Sequence, residues 1–295
     1  MKCLTSWDTM AETKCFGGIP EEFGGFERAA ILLQPVPYDG TSTWGKGADK
    51  GLEAFLEAAE NMELYDIETD SEVYTKGIHI LDAIREDRSP EEMYQAVRNR
   101  TTQLLQTGKF LTFFGGEHSI SIGVMEAFHE KYPEMSVLQL DAHADLRPSY
   151  LGSEFNHACA MHRASRNLNL VQVGIRSMDL SEKEYLDPQK CFYAHQIAES
   201  AHWMDRSIDL LSDQVYVTID LDVLDPSVMP STGTPEPGGM EWNVLIRYLK
   251  KVFQAKEVVG FDLVELAPLE HLKAPDFLVS KLYYKLLSYK FFLNQ

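Results

Sequence analysis

Two short apolar runs constrain this chain most, because each ends in Asp or His side chains at every second position. Ser136-Val-Leu-Gln-Leu140 leads into Asp141, His143 and Asp145, and Val215-Tyr-Val-Thr-Ile219 leads into Asp220 and Asp222. In an extended backbone the side chains alternate between faces, so residues at i, i+2 and i+4 point the same way. Each run is therefore predicted to be a strand that releases an aligned set of polar groups at its end. Taken singly, such an end is commonly a turn or a helix cap. Two in one chain, with Gly115-Gly-Glu-His118 behind a third apolar run, point instead to the walls of a metal site.

The rest of the pattern says how those ends meet. Strand signals fall at 29–37, 77–82, 110–114, 136–140, 170–175, 191–194, 215–221 and 257–264. Helical spacing of apolar residues falls at 52–64, 119–131, 157–166, 199–212, 241–255 and 276–290. A further helix opens at Ser89-Pro-Glu-Glu92, with Ser as N-cap, Pro at N1 and Glu at N3, a capping box. Apolar strands alternating with helices predict a parallel sheet covered on both faces, which is one α/β domain. In such sheets ligands sit at the carboxyl ends of the strands. His118, the 141–145 trio, the 220/222 pair and Glu265 all fall at such ends. Residues 1–27 lack periodicity and read as an irregular N-terminal arm, suited to packing on a neighbouring subunit, ahead of a single domain over 28–295.

Charge narrows the partners. The formal net charge of −18 repels phosphate backbones, which argues against nucleic acid and weakly favours cationic small molecules. Four cysteines without a C-x-x-C suit a reducing compartment. No apolar stretch reaches membrane-spanning length and the first residues lack a signal-peptide core, so the expectation is a cytoplasmic protein without a membrane partner.

His118, Asp141, His143, Asp145, Asp220 and Asp222 are more ligands than one ion needs. If two of the aspartates bridge, the set holds two ions. A carboxylate-rich, thiol-free set favours harder divalent ions, Mn²⁺ ahead of Zn²⁺, Co²⁺ or Fe²⁺. Cys159 reads as a small buried apolar residue rather than a ligand. Two metals acidify a bridging water and orient a substrate beside it, so the chemistry is hydrolysis at an electrophilic carbon or phosphorus. On residues alone, phosphate ester, amide and amidine all remain open.

Five motifs resemble those of one family. Gly115-Gly-Glu-His-Ser119, Asp141-Ala-His-Ala-Asp145 and Asp220-Leu-Asp-Val-Leu-Asp-Pro-Ser227 resemble the metal motifs of the ureohydrolases, the arginase and agmatinase superfamily. Gly233-Thr-Pro-Glu-Pro-Gly-Gly239 and Gly260-Phe-Asp-Leu-Val-Glu-Leu-Ala-Pro268 are similar to its later signatures, in the family's order from about residue 30 to 285. The resemblance implies a three-layer α/β/α fold around a central, mostly parallel eight-stranded sheet, and a homotrimer or homohexamer. It implies two Mn²⁺ ions: one on His118, Asp141, Asp145 and Asp220, the other on His143, Asp141, Asp220 and Asp222. It implies attack of a metal-bridging hydroxide on a guanidinium carbon, with Asp145 helping to pass a proton to the leaving amine. His157, in Asn156-His-Ala158, matches the family's proton-shuttling loop histidine. Glu265 matches the carboxylate that pairs with the substrate guanidinium, a planar cation suited to bidentate recognition.

Neighbouring polar residues receive plainer readings. Thr234 is expected on the pocket wall, His162 as a structural histidine and Glu117 as support for its loop. Arginases hold the amino-acid end of arginine with an Asn two residues beyond the last aspartate of Asp-x-His-x-Asp; here that position is Arg147, and the loop through Asn156 departs from the arginase pattern. The resemblance is therefore to the agmatinase branch, with agmatine as the expected substrate and putrescine and urea as products. Arg147 could instead pair with a carboxylate-bearing substrate such as 4-guanidinobutanoate. An inactive, metal-binding scaffold would be expected to have lost a ligand or Glu265, and none is missing.

Overall fold

Eight runs rich in buried Val, Ile, Leu and Phe form one sheet in the computed structural model, which describes residues 15–293. They are β1 (Ile31–Val36), β2 (Ile78–Ile80), β3 (Phe110–Gly115), β4 (Ser136–Leu140), β5 (Asn169–Ile175), β6 (Cys191–Tyr193), β7 (Gln214–Asp220) and β8 (Glu257–Val264). Every neighbouring pair is parallel, in the order β2-β1-β3-β8-β7-β4-β5-β6. Parallel pairing requires long crossovers, and helices supply them. The longer ones are α1 (Gly51–Ala59), α2 (Pro90–Leu105), α3 (Ile120–Lys131), α4 (His162–Asn167), α5 (Ala194–Glu199), α6 (Trp203–Asp209), α7 (Trp242–Ala255) and α8 (Ala274–Phe292).

Successive strand residues feed opposite layers. Phe113 and Tyr216 pack with Val97 of α2 and Phe128 of α3, whereas Phe114 and Val217 pack with Phe55 of α1 and Tyr283 of α8. Both faces are therefore buried, which explains why the strands read as continuous apolar runs. The result is the expected three-layer α/β/α fold, with an entirely parallel sheet.

The expected helix over 157–166 is broken. A 3-10 turn, His157–Cys159, precedes α4, because Met161 donates its N–H to the Asp145 carbonyl (2.9 Å) rather than continuing the helix. The expected helix over 199–212 is α6 alone, preceded by the separate α5 and an extended Ser200. The helix over 52–64 stops at Ala59. At α2, Ser89 accepts from the Glu92 N–H as expected; the Glu92 carboxylate takes the Ser89 hydroxyl and pairs with Arg88 rather than closing the reciprocal half of the box.

Of the N-terminal segment, residues 1–14, with Cys3, lie outside the described residues. The remainder packs on its own chain: Phe16 and Ile19 are buried, and the Phe16 ring lies 5.1 Å from Tyr283 and 5.7 Å from Phe55. Cys15, Cys159 and Cys191 are free thiols. Among the described residues no helix is long and apolar enough to cross a membrane.

The topology positions the site. The chain leaves β3, skips over the places of β8 and β7, and enters the sheet again at β4. Such a switch opens a crevice at the carboxyl ends of the central strands. His118 follows β3, Glu265 follows β8, Asp220 ends β7 and Asp141 follows β4. All four belong to adjacent central strands.

Candidate metal centre

The loop after β3 is pressed against the loop after β1 at Gly116, where any Cβ would lie 1.8 Å from the Tyr38 carbonyl oxygen. Only glycine permits that approach. It brings His118 over the sheet end, where its Nε2 lies 2.9 Å from the Thr218 hydroxyl. Thr218 in turn donates to Asp262 Oδ1 at 2.6 Å, and Tyr216 donates to Asp262 Oδ2 at 2.7 Å. Thr218 has one proton, and the charge-assisted bond to Asp262 takes it. His118 Nε2 is then the donor, and Nδ1 carries the lone pair.

That lone pair meets only acceptors. His118 Nδ1 is buried without a hydrogen-bond partner, yet Asp141 Oδ2 lies at 3.1 Å and Asp145 Oδ2 and Asp220 Oδ2 each at 3.3 Å. A lone pair facing three carboxylate oxygens is repulsive unless a cation sits among them. Without one, protons take its place. Burial, then the charge of Asp141, pushes the Asp145 carboxyl up to about 7. Burial, then Asp222 and Asp141, pushes Asp220 well above the usual carboxylate range.

A second group adjoins the first. His143 Nδ1 lies 2.9 Å from Asp222 Oδ2 and 3.7 Å from Asp141 Oδ1. Burial alone would lower the His143 pKa, but the carboxylates of Asp222 and Asp141 outweigh it and lift it to about 12. Asp141 faces both groups, one oxygen to each, and is held there by Gln139 Nε2 at 2.7 Å and the His143 N–H at 2.6 Å. Asp220 is steadied by its Oδ1, which accepts from the Asp222 N–H at 2.9 Å. The donor set of two imidazoles and four carboxylates, with no thiol, fits a pair of hard divalent cations.

Glu265 and Asp145 are in the left-handed backbone region, at φ of 69° and 53°. For non-glycine residues this costs about 1–3 kcal/mol each, and such strain concentrates at functional sites. The Glu265 N–H is pinned by the Gly116 carbonyl at 2.8 Å, and its Oε1 accepts from the His118 N–H at 2.9 Å. Glu265, His157, His143 and the carboxylates of Asp145, Asp220 and Asp222 line one cavity of about 300 Å³, with the exposed Thr234 on its rim.

Residues 29–288 match the pattern described as the Arginase family. The chain belongs to the arginase family. It is 34% identical over 280 residues to an N(1)-aminopropylagmatine ureohydrolase of Synechocystis, covering 91% of this chain and 92% of that one. It is 31% identical over 253 residues to an agmatinase of Pyrococcus horikoshii, covering 81% and 84%. The agmatine ureohydrolase of Thermoplasma volcanium superposes with a TM-score of 0.83 at 27% identity, covering 95% of both chains. These relatives place the chain in the agmatinase branch of the ureohydrolases, as a hydrolase of amidino C–N bonds.

Other predicted residues of this arginase-family chain lie near the cavity without joining the cluster. His162 Nδ1 bonds the Leu146 carbonyl at 2.9 Å and its ring meets Tyr185 edge-on. The Cys159 thiol is buried and directed at the Ser153 carbonyl. Arg147 Nη2 lies 3.5 Å from Asp179, and its guanidinium stands 4.8 Å over the Tyr150 ring. Four supporting residues escaped the sequence reading: Thr41, Thr218, Asp262 and Arg176, whose guanidinium bonds the Asp222 carbonyl at 2.5 Å. A signal existed for two of them. Thr218 and Asp262 interrupt apolar strands, and the β7–β8 register sets them side by side.

Proposed function

We propose that this protein hydrolyses the guanidinium group of agmatine to putrescine and urea, using two Mn²⁺ ions. His118, Asp141, Asp145 and Asp220 would hold one ion, and His143, Asp141, Asp220 and Asp222 the other. When bound, the pair supplies an acidified water as nucleophile and neutralises developing negative charge. Glu265 receives the substrate guanidinium, orienting its planar carbon toward the ligand cluster. Asp145 directs Oδ2 at His118, which leaves Oδ1 to take up a proton and pass it to the leaving nitrogen. His157 is pushed down to about 4, chiefly by burial, so it is neutral at neutral pH and able to accept a proton at the cavity wall.

Arg147 carries the choice of substrate. A guanidino acid would need a cation free to meet its carboxylate. The guanidinium of Arg147 is already engaged by Asp179 and Tyr150; Asp179 and Glu182 also line the cavity, and Glu236 Oε1 lies 3.9 Å from His143 Nε2. These acidic groups favour a substrate whose other end is an amine. N(1)-aminopropylagmatine, with a further amine on its tail, is the second reading, favoured by the Synechocystis relative. Free cysteines and the acidic charge suit a cytoplasmic setting, and we infer a trimer or hexamer on the family's precedent.

Urea release by Mn²⁺-loaded protein from agmatine, N(1)-aminopropylagmatine, arginine and 4-guanidinobutanoate tests this reading. The amine-tailed pair is expected to exceed the acids in kcat/KM by about 100-fold or more, because Arg147, the Arg lining the cavity among the described residues, is already engaged. Equal turnover of either acid would overturn the assignment. A clear preference for the longer amine would select the second reading.

A further inference from the structure

Glu117 is fully buried one residue before His118, and the chemistry above does not use it. Its carboxylate receives four donors. Oε1 accepts from the Thr41 hydroxyl at 2.8 Å, the Thr41 N–H at 3.2 Å and the Ser119 hydroxyl at 2.9 Å, and Oε2 accepts from the Ser119 N–H at 2.9 Å. Backbone amides can only donate, and one addresses each oxygen, so Glu117 stands as an acceptor at both. Thr41 also faces the site. Its hydroxyl oxygen accepts from the backbone N–H of His157 at 3.0 Å and lies 3.1 Å from the ring Nδ1 of His157.

One proton decides the arrangement. The Thr41 hydroxyl can give it to Glu117 or to His157, not to both. A bond to a carboxylate is roughly twice as strong as one between neutral groups, and the Glu117 contact is the shorter, at 2.8 Å against 3.1 Å. Thr41 then has only lone pairs for His157, so Nδ1 must carry the hydrogen. We propose that Glu117 and Thr41 form a hydrogen-bond relay that fixes His157 as its Nδ1–H tautomer, leaving Nε2 bare as the proton-accepting atom. Nε2 makes no hydrogen bond to another described residue, and the Tyr150 ring stands edge-on to the imidazole at 6.1 Å. The Asp262–Thr218 pair applies the same logic to His118 at the opposite nitrogen, donating from Nε2 and leaving Nδ1 bare. Two threonine–carboxylate pairs thus sort two histidines into different tasks. Glu117 and Thr41 are positioning residues, and the inference rests on the proton-accepting role proposed for His157.

Neutron diffraction from perdeuterated, metal-loaded protein at neutral pH reads the tautomer directly. A deuteron on His157 Nδ1 directed at Thr41, with the Thr41 deuteron directed at Glu117, is expected. A deuteron on Nε2, alone or with one on Nδ1, overturns the relay. Kinetics adds a second readout. Thr41→Val, with its metal content unchanged, is expected to lose about 10- to 100-fold in kcat at nearly constant KM, and Thr41→Ser to recover most of that loss. A Thr41→Val enzyme with full kcat overturns the relay; if that variant does not fold, the neutron result decides alone. His157→Asn separates the two claims. Full activity in that variant, with the Nδ1 deuteron present in the parent, would remove the role of His157 and leave the tautomer assignment standing.

Discussion

Asp220→Ala is expected to lose both metal ions and to fall at least about 10³-fold in kcat, equivalent to about 4 kcal/mol of transition-state stabilisation. Asp220 ends a central strand and brings Oδ2 to 3.3 Å from His118 Nδ1, and its Oδ1 accepts from the N–H of Asp222, whose Oδ2 lies 2.9 Å from His143 Nδ1. On the proposed ligand sets, removing it takes a donor from both positions. The side chain also has a structural task, because Oδ1 caps the turn Leu221–Val223 by accepting from the Asp222 N–H. Asp220→Asn keeps that oxygen and cancels the charge. The Asn variant is therefore expected to lose metal and rate like the Ala variant, without the additional loss of about 1 kcal/mol for the missing cap. Metal content by elemental analysis and unfolding of the metal-free proteins separate the two effects. Full metal content in Asp220→Ala would contradict a bridging role.

Glu265→Gln is expected to behave differently: both ions stay, and kcat/KM falls by about 10²- to 10³-fold. Truncating one partner of a buried, hydrogen-bonded charge pair costs about 2–5 kcal/mol, and glutamine retains shape without charge. Stability should move the other way. Burial, then the nearby charge of Glu117, pushes the Glu265 carboxyl well above its ordinary range, so its ionised form is costly in the folded protein. Neutralising it relieves that cost while the amide oxygen can still accept from the His118 N–H. The variant should unfold at a temperature no lower than the parent. A drop in both stability and metal content would mean that Glu265 is structural rather than a substrate contact.

The convergence of the His and Asp side chains was legible because its information is local. Asp141, His143 and Asp145 follow one apolar run at a spacing of two, and the parallel sheet brings their strand beside that of Asp220. The strands themselves read clearly, since burial on both faces leaves no polar position except where one is used. Thr218 and Asp262 were such positions. Thr41 was illegible: it lies in a glycine-studded loop and meets partners 76 and 116 residues away through a pair of polar contacts to each. No pattern within the loop encodes those contacts; the close approach of Gly116 to Tyr38 creates them. The break after Cys159 was hidden for a similar reason, because a carbonyl of the metal loop captures the Met161 amide. Local period reports which face a residue occupies, and long-range bonds decide where an element stops.

Anomalous diffraction at the manganese edge from Mn²⁺-loaded crystals tests the central claim most directly. The account requires two peaks: one touched by His118 and Asp145, the other by His143 and Asp222, with Asp141 and Asp220 reaching both. A single peak, or peaks away from these six side chains, would contradict it.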